Sequence, residues 1–579
     1  MAELLKVLSG LGLALGAYGT AIPTSTSTAQ GTQYTIPSSV TNGQNLIANV
    51  DDPQALNAQT VCPGYSAYDV QNTDSGFTAS LKLAGTPCNV YGTDVESLKF
   101  SVSYQAEDRL NIEIIPDDIQ PSQSTWYLLP ESLVPKPQVE EGMCLEKSEL
   151  AVTWSNEPTF NFQVIRQETG DVLFDTKGTK LVFENQFIEF ITALPEDYNL
   201  YGLGDRISGL RLSNNATLTT YAADIGDPLD SNLYGAQPFY LDTRYYETSG
   251  SKPRKPVQSS QAPNSKKYIS YSHGVFLRNA HGQEVKLQPQ SLTWRTIGGG
   301  IDLYFYAGPS AAEVTQSYLS STVGLPAMQQ YFTLGYHQCR WGYRNWTELE
   351  DVAHTTGSTV MRALAWEYPN DPSLAAVETQ FLLGPALMVV PVLQPLATTV
   401  NGVFPGLDDG EKWYDWYTQT VVDYAQPGVN TTIDAPLGHI PVFIRGGNVI
   451  PMQQPALTTR EARSTPWSLI VALDKKGNAS GSLYMDDGES ISPNTTLSVE
   501  FTVCKSKLIA TSSGSWAESN GLEKVIILGL KHAPKDVRFN GDSISQSAQY
   551  NSTSHVLTIA DLQGKTGQGA WHDDWVLEW

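Results

Sequence analysis

Carboxylate pairs are the first groups in this sequence that could do chemistry. Glu367 and Asp371 lie within the run WEYPNDP, and two nearby carboxyl groups can divide the roles of general acid and general base. The Pro- and Asn-rich residues between them are typical of a turn, which favours a structural role instead. A second acidic group surrounds a glycine and consists of Asp486, Asp487 and Glu489. Asp and Gly together are typical of a turn, which favours a loop over a cation site.

The absence of other motifs narrows the chemistry further. The sequence has no CxxC pair and no His/Cys cluster with the spacing of zinc ligands, so we expect neither a structural metal nor a cofactor. The net charge of −24 would repel nucleic acid and anionic membranes, and a neutral partner such as a sugar fits it better. With 579 residues, 41% of them hydrophobic and only 17% charged, the chain is folded and multidomain.

The N-terminus predicts secretion. Lys6 precedes an apolar stretch, Val7–Ala17, that is too short to span a bilayer and is followed by small residues suited to cleavage. No later window approaches about 18 uninterrupted apolar residues, so we expect no membrane span. Six Asn-x-Ser/Thr sequons support a glycosylated extracellular protein, and they begin at Asn215, Asn345, Asn430, Asn478, Asn494 and Asn551.

The five cysteines fit the same compartment. In an oxidising environment Cys62 and Cys88 are the natural disulfide pair, because they close a short loop. Spacing alone does not fix the connectivity, however, and an odd number leaves one thiol over. The other cysteines are Cys144, Cys339 and Cys504.

Period-two alternation of apolar and polar residues is the main secondary-structure pattern in the first half of the chain. Leu98–Tyr104 and Leu110–Ile114 alternate apolar with polar residues, which predicts half-buried strands, and Glu168–Asp171 predicts the turn of a hairpin. Helical periodicity is nearly absent before Ala311–Thr322, where we expect a short amphipathic helix. The Ser-, Pro- and Lys-rich stretch between Tyr246 and Lys267 predicts a solvated loop. The first half of the chain is therefore expected to be a large β-sandwich.

Six motifs occur in order along the chain, and together they resemble one family. They are YGLGDR at 201–206, LYGAQPF at 233–239, GLP at 324–326, GYHQCRWGY at 335–343, GPALMVVP at 384–391 and GHIPVFIRGG at 438–447. Each motif alone is weak. The ordered set closely resembles the secreted fungal α-glucosidases of glycoside hydrolase family 31 over nearly the whole chain after the signal peptide.

The resemblance implies a mainly β, multidomain fold. The expected division is a signal peptide over 1–21, a galactose-mutarotase-like N-terminal β-sandwich over 22–325, a truncated remnant of a (β/α)8 barrel over 326–392, and proximal and distal C-terminal β-sandwich domains over 393–475 and 476–579. It also implies retaining hydrolysis of terminal non-reducing α-linked glucose from maltose and maltooligosaccharides. That reaction needs one carboxylate as nucleophile and a second, about 5–5.5 Å away, as acid/base.

Both of those carboxylates are missing from the sequence. The family nucleophile lies in a stretch resembling Gly-Leu-Trp-Ile-Asp-Met and the acid/base follows a Gly-Asp-Asn-like loop, and neither occurs here. The segments that open and close the family's barrel, 341–343 and 353–362, are adjacent, with the join near Asp351, Val352 and Ala353. A barrel takes about 250 residues, whereas Pro326 to Pro391 suffices for about two β-α units. The sequence therefore predicts a chain without hydrolase activity. The expected origin of the missing barrel segment is a mis-predicted intron, an alternative transcript or an internal gene deletion.

Three residues resemble sugar contacts of the family. Asp224 resembles a loop Asp that contacts the non-reducing glucose, with an ordinary turn or capping role as the alternative. Trp341 and Tyr343 resemble aromatic residues at the barrel mouth, where a ring packs on the C–H face of a pyranose, with core packing as the alternative for Trp341. The expected partner is thus an α-glucan or maltooligosaccharide. Asp205 is expected to stabilise a turn or to pair with Arg206.

Two further outcomes stay open at this point. A non-catalytic secreted carbohydrate-binding protein that uses the N-terminal sandwich is the alternative function. A misfolded product is the other, because an opened barrel exposes strand edges and apolar faces.

Overall fold

The computed structural model describes residues 56–196, 198–222, 229–248, 253–257, 268–330, 359, 361–490, 492–566, 571 and 573–579. The described chain divides into two compact units. The N-terminal unit holds the described residues up to Gly324 together with Pro369–Ala376, and the C-terminal unit holds the rest. The helices are short, and the described ones are α1 Ala58–Val61, α2 Ser124–Tyr127, α3 Ala311–Tyr318, α4 Leu364–Glu367, α5 Thr459–Arg463 and α6 Gln563–Thr566.

Three antiparallel sheets form the described part of the N-terminal unit. Their strands are β1 Tyr65–Thr73, β2 Gly76–Leu83, β3 Ser97–Ala106, β4 Arg109–Pro116, β5 Leu150–Ser155, β6 Asn161–Arg166, β7 Val172–Asp175, β8 Val182–Glu184, β9 Phe187–Ala193, β10 Leu200–Gly202, β11 Ala216–Thr220, β12 Phe239–Thr248, β13 Pro253–Val257, β14 Tyr268–Leu277, β15 Gln283–Gln288, β16 Ser291–Thr296 and β17 Ile301–Tyr306. The largest sheet has the order β1-β2-β3-β4-β17-β14-β12-β10, with β13 paired to β12. The other two have the orders β11-β15-β16-β9-β8 and β5-β6-β7.

One aromatic-rich core joins the three sheets. Alternation in β3 directs Phe100 into this core, where it contacts Phe162 of β6 at 6.0 Å between ring centroids. Phe190 of β9 stacks on Trp294 of β16 at 5.8 Å. Such pairs add to the stabilisation that burial of their large apolar area provides. The expected β-sandwich is confirmed.

Two local expectations for this unit have different outcomes. The helix expected after Ala311 is present as α3, and it begins with a capping box between Ser310 and Glu313. The loop expected between Tyr246 and Lys267 is in part wrong, because it contains β13, whose Val257 pairs with Tyr245 of β12. Proline at 253 and 256 is tolerated because, among the described strands, β13 pairs with β12 alone.

The C-terminal unit contains three more sheets within its described residues. Its strands are β18 Met361–Arg362, β19 Phe381–Leu383, β20 Leu387–Val389, β21 Thr399–Gly402, β22 Trp413–Asp415, β23 Thr431–Asp434, β24 Val442–Arg445, β25 Asn448–Met452, β26 Trp467–Ala472, β27 Ala479–Met485, β28 Leu497–Cys504, β29 Lys507–Gly514, β30 Leu522–Leu528, β31 Arg538–Phe539, β32 Asp542–Ser543, β33 Ala548–Asn551, β34 Val556–Ile559 and β35 Trp575–Glu578. The sheet orders are β18-β19-β20-β24-β22, β21-β23 and β32-β31-β35-β29-β28-β27-β25-β26-β30-β34-β33.

Two of the expected domain boundaries fall inside these sheets. The boundary between 475 and 476 divides the longest sheet, since β25 pairs with both β26 and β27. In the segment assigned to the barrel remnant, β18, β19 and β20 pair antiparallel and continue into β24. Barrel strands are parallel. Residues 361–389 therefore belong to a C-terminal β-domain rather than to the barrel.

No helix among the described residues is both long and apolar enough to cross a bilayer.

Candidate functional site

The segment that carries Asp224 lies in the N-terminal unit, between a strand and a loop. Strand β11 precedes this segment, and a loop over 229–235 follows it. Bridges between Arg206 and Asn232 and between Ile207 and Leu229 join that loop to the chain leaving β10. We call the loop over 229–235 and the stretch over 203–207, which follows β10, the loop platform.

Arg206 and Asn232 hold the loop platform together. The Arg206 guanidinium donates from Nε to the carbonyl of Leu203 at 3.0 Å, and its other nitrogens donate to carbonyls on both sides of the Asp224 segment, those of Thr219 and Asp230. Asn232 Nδ2 donates to the carbonyl of Tyr221 at 3.2 Å. Burial lowers the pKa of Arg206 to about 10, so the group stays charged at neutral pH. These contacts fix both ends of the segment that carries Asp224.

Asp205 lies in a bend of the loop platform, and the side-chain role expected of it stays a prediction. Its amide donates to the carbonyl of Gly235, and its carbonyl accepts from the amide of Leu233, both at 2.8 Å. The preceding Gly204 has φ +93°, and a Cβ there would lie 2.4 Å from Asn232 Oδ1, so glycine is required. The sequence drew attention to Asp205–Arg206 as a pair but not to the carbonyl-binding role of Arg206. The ordered pattern YGLGDR is the only signal that pointed there.

The predicted sugar contacts Asp224, Trp341 and Tyr343 lie outside the described residues. Their roles stay predictions.

Glu367 is held by two arginines in the C-terminal unit. Its Oε1 lies 2.5 Å from Arg362 Nη1, and its Oε2 lies 3.2 Å from Arg445 Nη1. Arg445 Nε also lies 3.3 Å from Glu411 Oε1, and its guanidinium carbon lies 4.6 Å from the ring centroid of Tyr368. We call these five residues the half-buried cluster. Both oxygens of Glu367 are thus committed to cations, which favours the structural role that the turn sequence indicated.

The remaining acidic candidates cap turns. Asp371 Oδ1 accepts from the amide of Ser373 at 3.0 Å at the start of a short 3-10 turn. Asp487 accepts from the amides of Glu489 and Ser490 at 2.9 and 2.8 Å. Asp486 accepts from Gly488 at 2.7 Å. These are the contacts that Asp side chains make in turns. The acidic group of Asp486, Asp487 and Glu489 therefore lies in a turn.

Cys62 and Cys88 form a disulfide in the structure. Glu184 lies beside it and accepts from the amides of Val90 and Tyr91 at 2.6 and 2.9 Å. A disulfide offers no thiolate, so this cluster does not bind a metal in this state. Cys144 and Cys504 are free thiols, and Cys339 lies outside the described residues.

The described sequons differ in exposure. Asn430, Asn494 and Asn551 are exposed, whereas Asn215 and Asn478 are partly buried. Asn345 lies outside the described residues. Glycosylation at these positions stays a prediction.

Comparisons with known proteins agree with the motifs. The model of the glycosyl hydrolase 31 N-terminal galactose mutarotase-like domain matches residues 99–250, and that of the glycosyl hydrolase family 31 C-terminal domain matches residues 357–450. An α-glucosidase from Aspergillus oryzae is 36% identical, with 98% of this chain and 99% of the relative covered. An α-glucosidase from Aspergillus niger is also 36% identical, with both chains covered completely. This chain therefore belongs to glycoside hydrolase family 31.

Solved structures agree on the fold. The α subunit of glucosidase II in a Glc1Man2-bound form has a TM-score of 0.69 at 13% identity, and the match covers 90% of this chain and 97% of that chain. A family 31 dextranase from Flavobacterium johnsoniae complexed with isomaltotriose has a TM-score of 0.62 at 13% identity, covering 89% of this chain and 99% of that chain.

The barrel is the part that this chain does not contain in full. The alignment with the Aspergillus oryzae relative runs over 973 positions, and this chain has 579 residues, so several hundred positions of the relative have no counterpart. Apart from Pro369–Ala376, the N-terminal unit ends at Gly324, and the match to the C-terminal domain begins at residue 357. A (β/α)8 barrel takes about 250 residues. The barrel of this chain is therefore truncated.

Proposed function

We propose that this chain is a secreted family 31 homologue that does not hydrolyse glycosidic bonds. The observation that carries the proposal is the stretch 325–356, which is all that separates the N-terminal unit from the C-terminal domain match. Eight strand–helix units do not fit into it. The strand ends that would carry the active site of a barrel are missing with them.

The chemistry supports the same proposal. Retaining hydrolysis needs two carboxyl groups about 5–5.5 Å apart on either side of the bond that breaks. Glu367 and Asp371, the one pair that the sequence offered, are committed to arginines and to a turn. Neither group is available to form a glycosyl intermediate or to protonate a leaving oxygen.

The ligand class follows from the relatives and from the charge of the chain. The related proteins are α-glucosidases, and one structural neighbour binds isomaltotriose. A chain of net charge −24 favours neutral ligands. We propose an α-glucan or maltooligosaccharide as the partner in the second candidate function, a non-catalytic carbohydrate-binding protein. The loop platform supports this candidate, because Arg206 and Asn232 fix both ends of the segment that carries Asp224.

Secretion is supported by three features of the chain. The N-terminal sequence has the pattern of a signal peptide, the disulfide between Cys62 and Cys88 fits an oxidising compartment, and Asn430, Asn494 and Asn551 are exposed sequons. Purified chain from a eukaryotic secretory host should lose mass on treatment with an N-glycan endoglycosidase. An unchanged mass would remove the sequons from this argument.

Sequencing the transcript across the codons for Val352 and Ala353 tests the origin of the truncation. An extra in-frame segment encoding two barrel Asp residues would restore an ordinary α-glucosidase and overturn the proposal for the natural product. If the transcript joins these codons directly, the present chain is what the cell makes. Saturable binding of maltooligosaccharides by a monodisperse preparation would then favour the carbohydrate-binding candidate, and aggregation without binding would favour a defective product.

A further inference from the structure

A cavity of about 310 Å³ lies on the outer face of the nine-stranded sheet in the N-terminal unit. Glu113 of β4 and Asp302 of β17 are opposite each other in register, while their neighbours Ile112 and Leu303 belong to the core. Since side chains alternate along strands, Glu113 and Asp302 point away from the core and form the floor of the cavity. Its volume is at the lower end of the range for small-molecule sites, about 300–1,000 Å³.

The wall of this cavity is a segment that crosses the sheet face, which we call the strap and define as residues 121–136. The Trp126 indole donates to the carbonyl of Asn185 at 2.8 Å, and its ring packs edge-on against His281. At the other end, Lys136 Nζ lies 2.6 Å from Glu113 Oε1. The strap is thus anchored at both ends, so the cavity is preformed rather than opened by a ligand.

The charges on the floor are matched. Arg278 Nη1 lies 3.2 Å from Asp302 Oδ2, and Lys136 pairs with Glu113. Asn111 Nδ2 donates to the other oxygen of Asp302 at 2.7 Å. Glu131 adds a further negative charge to the lining. An anion would meet three carboxylates, and a cation would compete with paired arginine and lysine, so a neutral ligand suits this lining best.

The floor presents polar side chains to a ligand, since both Arg278 and Asp302 line the cavity. Arg278 Nη1 lies 3.2 Å from Asp302 Oδ2, so the two side chains form one charged pair there. A ligand hydroxyl can donate to the carboxylate of this pair or accept from its guanidinium. Burial, with a smaller effect from Glu113, raises the pKa of Asp302 to about 6, so this carboxyl can both accept and, in mild acid, donate.

The cavity also has an apolar lining. It consists of Ile115 of β4, on the same strand face as Glu113, and of Tyr127, Leu128, Leu129 and Pro130 of the strap. A ligand that fits both kinds of lining has hydroxyl groups on one edge and a C–H face on the other, as a sugar ring does. We propose that this cavity binds a neutral polyhydroxylated molecule of monosaccharide size, with hydroxyls toward Arg278 and Asp302 and its C–H face against the strap.

This site is separate from the loop platform and does not rest on the loss of hydrolysis. Binding here is measured without turnover, so the inference and the proposed function fail independently.

Titration of the full chain with methyl α-D-glucopyranoside, followed by calorimetry, tests the inference. We expect saturable binding with a Kd of about 1–10 mM, typical of a small neutral ligand with few contacts. Glucuronate, which adds one negative charge, should bind at least about tenfold more weakly. No saturation by the glucoside up to about 50 mM, or tighter binding of glucuronate, would overturn the proposal.

Two variants on the strap provide the matched pair. Leu129→Trp places a larger side chain in the cavity and should weaken glucoside binding at least about tenfold. Leu133→Trp makes the same change at a position that is 78% exposed and does not line the cavity, and it should leave the affinity unchanged. Thr125→Trp, at an exposed lining residue, repeats the test if Leu129→Trp does not fold. Equal affinity in the lining variants and Leu133→Trp would assign the binding to another place.

Discussion

The two units of this chain each place an arginine between two glutamates, but at different depths. In the N-terminal unit Arg295 Nε lies 2.8 Å from Glu189 Oε2 and its Nη1 lies 2.8 Å from Glu284 Oε1, and these three side chains are at most 10% exposed. We call them the buried cluster. In the half-buried cluster of the C-terminal unit, Arg445 and its two glutamates are 15–22% exposed.

The carboxylates of the two clusters share one structural role. In both clusters each glutamate is held by a guanidinium, so neither cluster leaves a carboxyl group free for acid/base work. What differs is the cost of removing the cation, because a carboxylate left in a dry interior loses both its partner and its water. We therefore expect both clusters to be structural. The contribution of each cluster to the free energy of unfolding should increase with its burial.

Arg295→Met should have the largest effect on stability. It removes the cation between two buried carboxylates, and we expect a loss of about 3–5 kcal/mol from the N-terminal unit. Urea unfolding with hydrogen exchange on peptides from β9 and β16 measures it. The same change at Arg538, an exposed partner of Asp536, is the control and should leave exchange and the unfolding midpoint unchanged. A comparable loss in both variants would contradict the dependence on burial.

Asp302→Asn should have a pH-dependent effect of about 2–3 kcal/mol. The folded pKa of Asp302, about 6, is raised above its ordinary value of 3.8, chiefly by burial. A carboxyl group raised in this way contributes stability below about pH 4 that is lost as the pH rises through about 6. The asparagine variant lacks this titration, so its stability relative to the natural chain should increase from pH 4 to pH 7. A difference that stays constant over this range would contradict the assignment.

Arg445→Met should have a smaller effect, about 1–2 kcal/mol, because solvent reaches the half-buried cluster and screens the glutamates that it leaves. Hydrogen exchange on peptides from β22 and β24 measures it. Arg445→Lys is the conservative control: it keeps a positive charge but not the planar group over Tyr368, and it should recover part of the loss. A loss from Arg445→Met equal to that from Arg295→Met would remove the distinction between the two clusters.

Much of the fold could be predicted from local pattern. Alternation at Leu98–Tyr104 and at Leu110–Ile114 predicted β3 and β4, because one side of each strand packs on a core. The strand β13 was missed, because its prolines and basic residues resemble a loop and its pairing with β12 is a tertiary effect.

The sites were less predictable for the same reason. The sequence marks Glu367 as a carboxylate near a turn, but Arg445, which holds it, comes from a distant strand. Glu113 and Asp302 meet only because β4 pairs with β17, and no local pattern specifies that pairing. The ordered motifs, by contrast, identified the family correctly. The absence of the two catalytic Asp residues, which was inferred from the same motifs, stays a prediction.

Glucose release from maltose by the purified chain is the direct test of whether this chain hydrolyses glycosidic bonds. The Aspergillus niger relative, an α-glucosidase, is the positive control under the same conditions. We expect no release above the substrate blank at any enzyme concentration, because the proposed function gives this chain a truncated barrel without the two carboxylates that retaining hydrolysis needs. Release that rises with the amount of chain and is abolished by an α-glucosidase inhibitor would contradict the account.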